Sequence, residues 1–256
     1  MQHRYVPDLG DFSKFAVIDA LSAQGTDRTA LIWYLVDPKE VGDHHNNDGK
    51  HTAYLTQDRQ GLAQCHPELY ERFQSIHRTG EKHVGVYERY EVLPTINYFG
   101  EPVSYDGHAL TQRAVWRTGW LKRALQATEN TDMVMLDPDN GLMPDRLSIR
   151  SQSAVKYASL DECRAFYGGG QRTLVVYQHA HRQGSAAEQA SRALHRLSED
   201  LGVEREHIFA LRFHRGTTRF YLVVPAKHYQ CIMRSRASAI IDSDWGTRKH
   251  FSLITL

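Results

Sequence analysis

Residues Asp132 to Gly141, Asp-Met-Val-Met-Leu-Asp-Pro-Asp-Asn-Gly, constrain this chain more than any other stretch. Met133 to Leu136 is apolar without alternation, the pattern of a strand buried on both faces of a parallel sheet. The run stops at two carboxylates, Asp137 and Asp139, which flank Pro138 and precede Asn140-Gly141. Open α/β sheets put their ligands beyond the carboxyl ends of their strands. Two acids, an amide and a glycine at such an end point to a site. The same residue types are also the commonest turn formers, so a plain turn is the competing reading.

The bulk properties narrow the class. A chain of 256 residues can bury one sizeable core, so a single domain over residues 1–256 is expected. A net charge of +1 gives no global pull toward nucleic acid or a membrane, although local basic patches stay open. Cys65, Cys163 and Cys231 are far apart and lack metal-ligand spacing, which fits a reducing cytosol. No apolar run approaches a membrane span, so no membrane partner and a cytoplasmic location are expected. Oligomeric state is not legible.

The periodicities predict alternating helices and strands. Asp11 is a plausible cap for a helix from about Phe12 to Ala23, with Phe15, Ile18 and Leu21 as its stripe. Thr29 to Val36 reads as a buried strand, and Gly42 to Lys50 as a polar loop at its end. Residues 58–107 read as a partly helical insertion, with a helix over Glu68–His77 and a strand over His83–Leu93. A helix is expected from about His108 to Thr128, with Leu110, Ala114, Leu121 and Leu125 at helical spacing. Ser159 with Glu162 and Ser185 with Glu188 are capping boxes; glycines 168–170 and Gly202 end the two helices they open. Arg172–Tyr177 is a strand between them, and Ile208–Phe213 with Arg219–Val224 form a hairpin about Arg215-Gly216. The sum is α/β: a three-layer sandwich with a mostly parallel, Rossmann-like sheet and a C-terminal antiparallel hairpin.

This order of elements, with Asp137-Pro138-Asp139-Asn140 closing the diagnostic strand, resembles the Rossmann-like class I S-adenosylmethionine-dependent methyltransferases. In that superfamily the fourth strand ends in Asp/Asn-Pro-Pro-aromatic and the last two strands form a hairpin. The chain is also distantly similar to the adenine-N6 methyltransferases of ribosomal RNA, which carry a Gly-Asn-x-x-Asp-x-x-Lys-His type segment before the first strand. Leu9-Gly10-Asp11-Phe12-Ser13-Lys14-Phe15 stands at the corresponding place. The resemblance implies S-adenosylmethionine as cofactor, held by Asp8, Gly10, Asp11 and Lys14, and a nucleic-acid or nucleotide substrate. The glycine-rich loop that follows the first strand in the superfamily is replaced, at nearest, by Asn47-Asp48-Gly49. Asp139 stands where the second proline is expected, and Asn140 where the aromatic platform for a base is expected.

Other chemistry is open to the same residues. Asp137 and Asp139, at i and i+2 on an extended segment, point the same way and could hold Mg²⁺ for phosphodiester hydrolysis. Asp11 and Lys14 share a helix face near its N-terminus, where an anion is favoured. Gln178, His179 and Arg182 follow the next strand and offer donors or a general base. Lys156 lies close after the acidic motif, and Arg215 makes the hairpin tip basic; either suits a phosphate contact. The catalytic candidates are therefore Asp137, Pro138, Asp139, Asn140 and His179. A non-catalytic nucleotide-binding module is the third reading.

Overall fold

The computed structural model describes residues 1–23, 25, 27–42, 51–182 and 184–256. Helix α1 spans Leu9–Leu21 and is capped by Asp8, whose Oδ1 accepts the Asp11 N–H at 3.0 Å. The start lies three residues before the one expected from Asp11, because the Asp11 carboxylate is spent elsewhere. It accepts from Lys14 Nζ and the Tyr87 hydroxyl. Strand β1 follows at Thr29–Trp33.

The insertion holds the short helix α2 (Leu62–Cys65), α3 (Pro67–Thr79) and α4 (Gly85–Arg89), then strand β2 (Ile96–Phe99). The strand expected over His83–Leu93 is thus helical in its centre. Val86 and Tyr87 face an aromatic cluster in which Tyr87 stacks 5.5 Å from Phe73 and lies tilted 4.8 Å from Phe15. That burial outweighs the β-branched composition. The strand that returns to the sheet lies beyond Pro94.

Helix α5 is Arg113–Ala127, starting later than the expected His108. Its buried positions are Arg117, Trp120 and Ala124 rather than the stripe that includes Leu110, which is 60% exposed. Arg117 faces inward because Glu162 meets it with two hydrogen bonds, at 2.5 and 3.0 Å. Strand β3 is Met133–Asp137. Gly141–Leu142 (β4) and Tyr157–Ala158 (β5) pair in a two-stranded ribbon.

Both expected capping boxes are present: Ser159 opens α6 (Leu160–Tyr167), and Ser185 opens α7 (Ala186–Leu201). Between them lies β6, Thr173–His179. The hairpin is β7 (Phe209–Phe213) and β8 (Arg219–Val224). Beyond it come α8 (Gln230–Asp242), α9 (Asp244–Thr247) and a last strand, β9 (Phe251–Thr255), which the sequence reading did not place.

The seven strands run in the order β2-β1-β3-β6-β8-β7-β9. β2, β1, β3 and β6 are mutually parallel, and β8 is antiparallel to both its neighbours, β6 and β7. The return strand of the hairpin is therefore inserted between β6 and β7, and β9 pairs antiparallel to β7 at the edge. Alternate residues feed two cores. Trp33, Met135, Val175 and Tyr221 meet α1, α3, α4 and α8, while Ile32, Leu136, Val176 and Leu222 meet α5, α6 and α7. The three-layer α/β sandwich with a mostly parallel, Rossmann-like sheet follows. Among the described residues, no helix is long and apolar enough to cross a membrane.

Phe12 of α1 is fully buried against Tyr54, Phe73 and Trp245. Phe12→Ala is expected to cost about 3–5 kcal/mol in urea unfolding, the range for a large cavity in a core. A loss under about 1 kcal/mol would contradict this packing.

Candidate functional site

The parallel strands β1, β3 and β6 end on one edge of the sheet, and antiparallel β8 begins there, since His179 pairs with Arg219. Helix α1 runs back from this edge, so its first turn overhangs the strand ends. A cavity of about 200 Å³ opens between them. It is lined by Asp8, Gly10, Asp11, Lys14, Asp137, Pro138, Asp139, Asn140, Lys156 and His179, together with Met1, Tyr5, His51, Tyr177, Thr217 and Arg219. Four separated segments of the chain, the start of α1, the 137–140 motif, the end of β6 and the start of β8, thus meet at one place.

Lys14 is the centre of the arrangement and is 2% exposed. Its Nζ donates to Asp137 Oδ2 at 2.7 Å and to Asp11 Oδ1 at 2.9 Å, and lies 4.6 Å from the Trp33 ring centroid. Burial works against the charged ammonium, but the Asp11 and Asp137 carboxylates outweigh it and hold Lys14 protonated well above its ordinary range. Burial is also the largest influence on Asp137 and raises its carboxyl, opposed by Lys14 and by the Met1 amino group. Tyr87, brought from the insertion, donates its hydroxyl to Asp11 Oδ2 at 2.5 Å. Burial, followed by the Asp11 charge, keeps that phenol protonated.

Asp139 lies in a second ionic group. Its Oδ2 is 3.3 Å from Lys156 Nζ and accepts from Gln2 Nε2 at 3.2 Å. Burial opposes its ionisation, yet the Met1 amino group and Lys156 prevail and keep the carboxyl below its ordinary value. Asp8 differs from the other three acids. Its nearest cation is Arg219, at 3.8 Å, and burial with the neighbouring Asp11 charge pushes its carboxyl up to about 6.

Two glycines are needed for close approach. A Cβ at Gly10 would lie 2.7 Å from Arg219 Nε, so the guanidinium can cross the first turn of α1 only because that residue has no side chain. Gly141 has φ +118°, and a Cβ there would fall 2.3 Å from Gln178 Oε1. Gln178 does not line the cavity. Its Oε1 accepts the Leu142 N–H, and its Nε2 donates to the Asn140 and His179 carbonyls, so it holds the 140–142 turn in place. Arg182 is exposed beyond β6. Arg215 is turned to the segment before β9, where Nε donates to His250 Nδ1 and Nη2 to the Arg248 carbonyl. Asn47 and Asp48 lie outside the described residues.

Tyr5, His51 and Thr217 were not singled out by the sequence. Arg219 entered the sequence reading only as the first residue of a hairpin strand; the register opposite His179 is what brings it to the cavity. Among the described residues, the three-ligand group with metal-like spacing is Glu204, Glu206 and His207, before β7 and not at this edge. No family model matches the chain, and no curated protein matches it.

Lys14→Met leaves two buried carboxylates without their cation. Equilibrium unfolding at pH 7 is expected to show a loss of about 3–5 kcal/mol, whereas a loss under about 1 kcal/mol would rule out the buried triad. For Asp8 the sign is opposite. A carboxyl raised from 3.8 to about 6 costs stability that is absent below pH 4, grows as pH rises through 6 and is complete above it. Asp8→Asn keeps a good cap and removes this cost. Its stability relative to the parent should rise by on the order of 2–3 kcal/mol between pH 4 and pH 7.5; a difference independent of pH would contradict the assignment.

Proposed function

We propose that the chain is an S-adenosylmethionine-dependent methyltransferase-like protein whose acceptor is a nucleotide or a nucleic acid. The observation that carries this is the contact of Lys14 with Asp137. The lysine comes from the Asp-x-x-Lys segment before β1, the aspartate opens the Asp-Pro-Asp-Asn segment after β3, and they meet at 2.7 Å. These are the two segments in which the sequence resembles the superfamily, and they stand 123 residues apart. The hairpin strand inserted between β6 and β7, at a strand-end cavity, supports the same reading.

The residues present fit the cofactor. Four carboxyls and the cations Lys14, Lys156 and Arg219 line one small cavity, a mixture suited to a zwitterion with an added positive charge rather than to a polyphosphate. Asp8, Gly10, Asp11 and Lys14 would hold it, with Lys156 as a partner for its carboxylate. When bound, S-adenosylmethionine supplies an electrophilic methyl group. The chain's own part is orientation. Asn140 lines the cavity, and its side-chain amide makes no hydrogen bond to the protein among the described residues. It can present one acceptor and two donors to the edge of a base. Tyr5, Tyr177 and His179 offer ring surfaces from other elements where the motif itself has no aromatic.

The magnesium-dependent hydrolase is less favoured by the geometry. Asp137 is in contact with Lys14 and Asp139 with Lys156, so each proposed ligand already has a cation. A cytosolic setting belongs to the reading, in keeping with three free cysteines.

Calorimetric titration of the purified protein with S-adenosylmethionine and S-adenosylhomocysteine is expected to give saturable binding. Lys156→Ala should weaken it at least about fivefold, about 1 kcal/mol. No heat and no thermal shift with either compound would reject the transferase reading.

A further inference from the structure

Two histidines from distant parts of the chain stack on one another. His3 opens the single turn His3–Tyr5 before α1, and His83 lies just before α4. Their ring centroids are 4.0 Å apart, with 22° between the planes. Both rings use Nδ1 as an acceptor: His3 takes the Val84 N–H at 3.4 Å, and His83 takes the Gly85 N–H at 3.0 Å. A ring nitrogen that accepts carries no proton, so each ring is neutral with its hydrogen on Nε2. A second proton would set an N–H against a backbone N–H and put a cation on a stacked, titratable neighbour.

The surrounding charges act the same way. The Met1 amino group and Arg4 flank His3, and Lys82 flanks His83, with its Nζ donating to the Val6 carbonyl at 2.5 Å. Glu81, the carboxylate of that segment, is held by Arg89 at 2.8 Å. Burial is the largest influence on His3 and lowers it; His83 and the Met1 amino group add to the effect.

The segment fastened by this stack is a wall of the site. Met1 and Tyr5 line the cavity, and Gln2 Nε2 donates to Asp139 Oδ2 at 3.2 Å. On the other side of the stack, α4 carries Tyr87, whose hydroxyl meets Asp11. We propose that the His3–His83 stack is a proton-operated latch: neutral, it fastens residues 1–5 to the insertion, and protonated, it releases that wall of the cavity. The device does not depend on which ligand the cavity takes. Once open, the rings regain the ordinary histidine value of about 6.5 and bind protons that the closed stack refuses. Closure is therefore favoured above that pH and lost progressively below it.

The test is amide hydrogen exchange of the whole protein at pH 7.5 and pH 5, read by mass spectrometry and corrected for the pH dependence of chemical exchange. Protection of residues 1–8 is expected to fall at least about tenfold at pH 5, since one ring charged only when open favours opening by roughly 30-fold there. Protection of β3, Met133–Asp137, should hold. The double variant His3→Asn/His83→Asn removes the titration. Asparagine Oδ1 can accept the same backbone N–H groups, at residue 83 as an Asx turn, and circular dichroism checks that the variant is folded. Its residues 1–8 should be equally protected at both pH values. Unchanged protection in the parent, a loss shared by β3, or the same loss in the folded variant overturns the latch. If the variant does not fold, the comparison within the parent decides.

Discussion

One buried ammonium organises this protein. Lys14 sits at the join of α1 and the sheet, where an unpaired charge would be prohibitive. Its cost is offset by Asp11 within the same helix and by Asp137 across from it, so the first helix is tied to the end of β3 by the ionic hydrogen bond from Lys14 to Asp137. Tyr87 then closes on Asp11, which draws the insertion into the same cluster. Ser13, one residue before the lysine, makes a 2.6 Å hydroxyl contact with Tyr221 of β8. Helix α1, β3, the insertion and the hairpin are thereby held around a single charge.

That arrangement spends most of the site's polarity on structure. Lys14, Asp11 and Asp137 satisfy one another, and Gln178 is occupied with the turn beneath Asn140. The remaining charges at the cavity are paired as well, Asp8 with Arg219 at 3.8 Å and Asp139 with Lys156 at 3.3 Å, and Asn140 lines it beside them. Arg219 reaches its place across Gly10, and the 140–142 turn depends on the positive φ of Gly141. Both glycines therefore act through what their missing side chains allow, and neither has any chemistry to contribute.

Local signals were the most legible. The capping boxes at Ser159 and Ser185 and the apolar run into Asp137 are decided within a few residues, and each stands where its pattern points. Helix phase and element type failed where tertiary contacts outvote propensity. Val84 to Val92 has strand-like composition but is helical around Tyr87, whose ring is needed against Phe15 and Phe73. The phase of α5 turned on Arg117, a residue that reads as surface until Glu162, 45 positions later, is brought beside it. The cap of α1 moved from Asp11 to Asp8 for the same reason, since the Asp11 side chain answers to Lys14 and Tyr87.

The sequence by itself determined the α/β class and the strand that ends in Asp137, with a second acid two residues beyond it. Periodicity and turn chemistry are short-range, and they carry that much. Only the tertiary structure decided which of those charges neutralise one another. Pairing depends on which elements meet, and Lys14 and Asp137 are separated by 123 residues before the fold brings them to 2.7 Å. Four aspartates look alike along the chain. In the folded protein Asp11 and Asp137 share Lys14, Asp139 meets Lys156, and Asp8 has the longest of these ion pairs, 3.8 Å to Arg219.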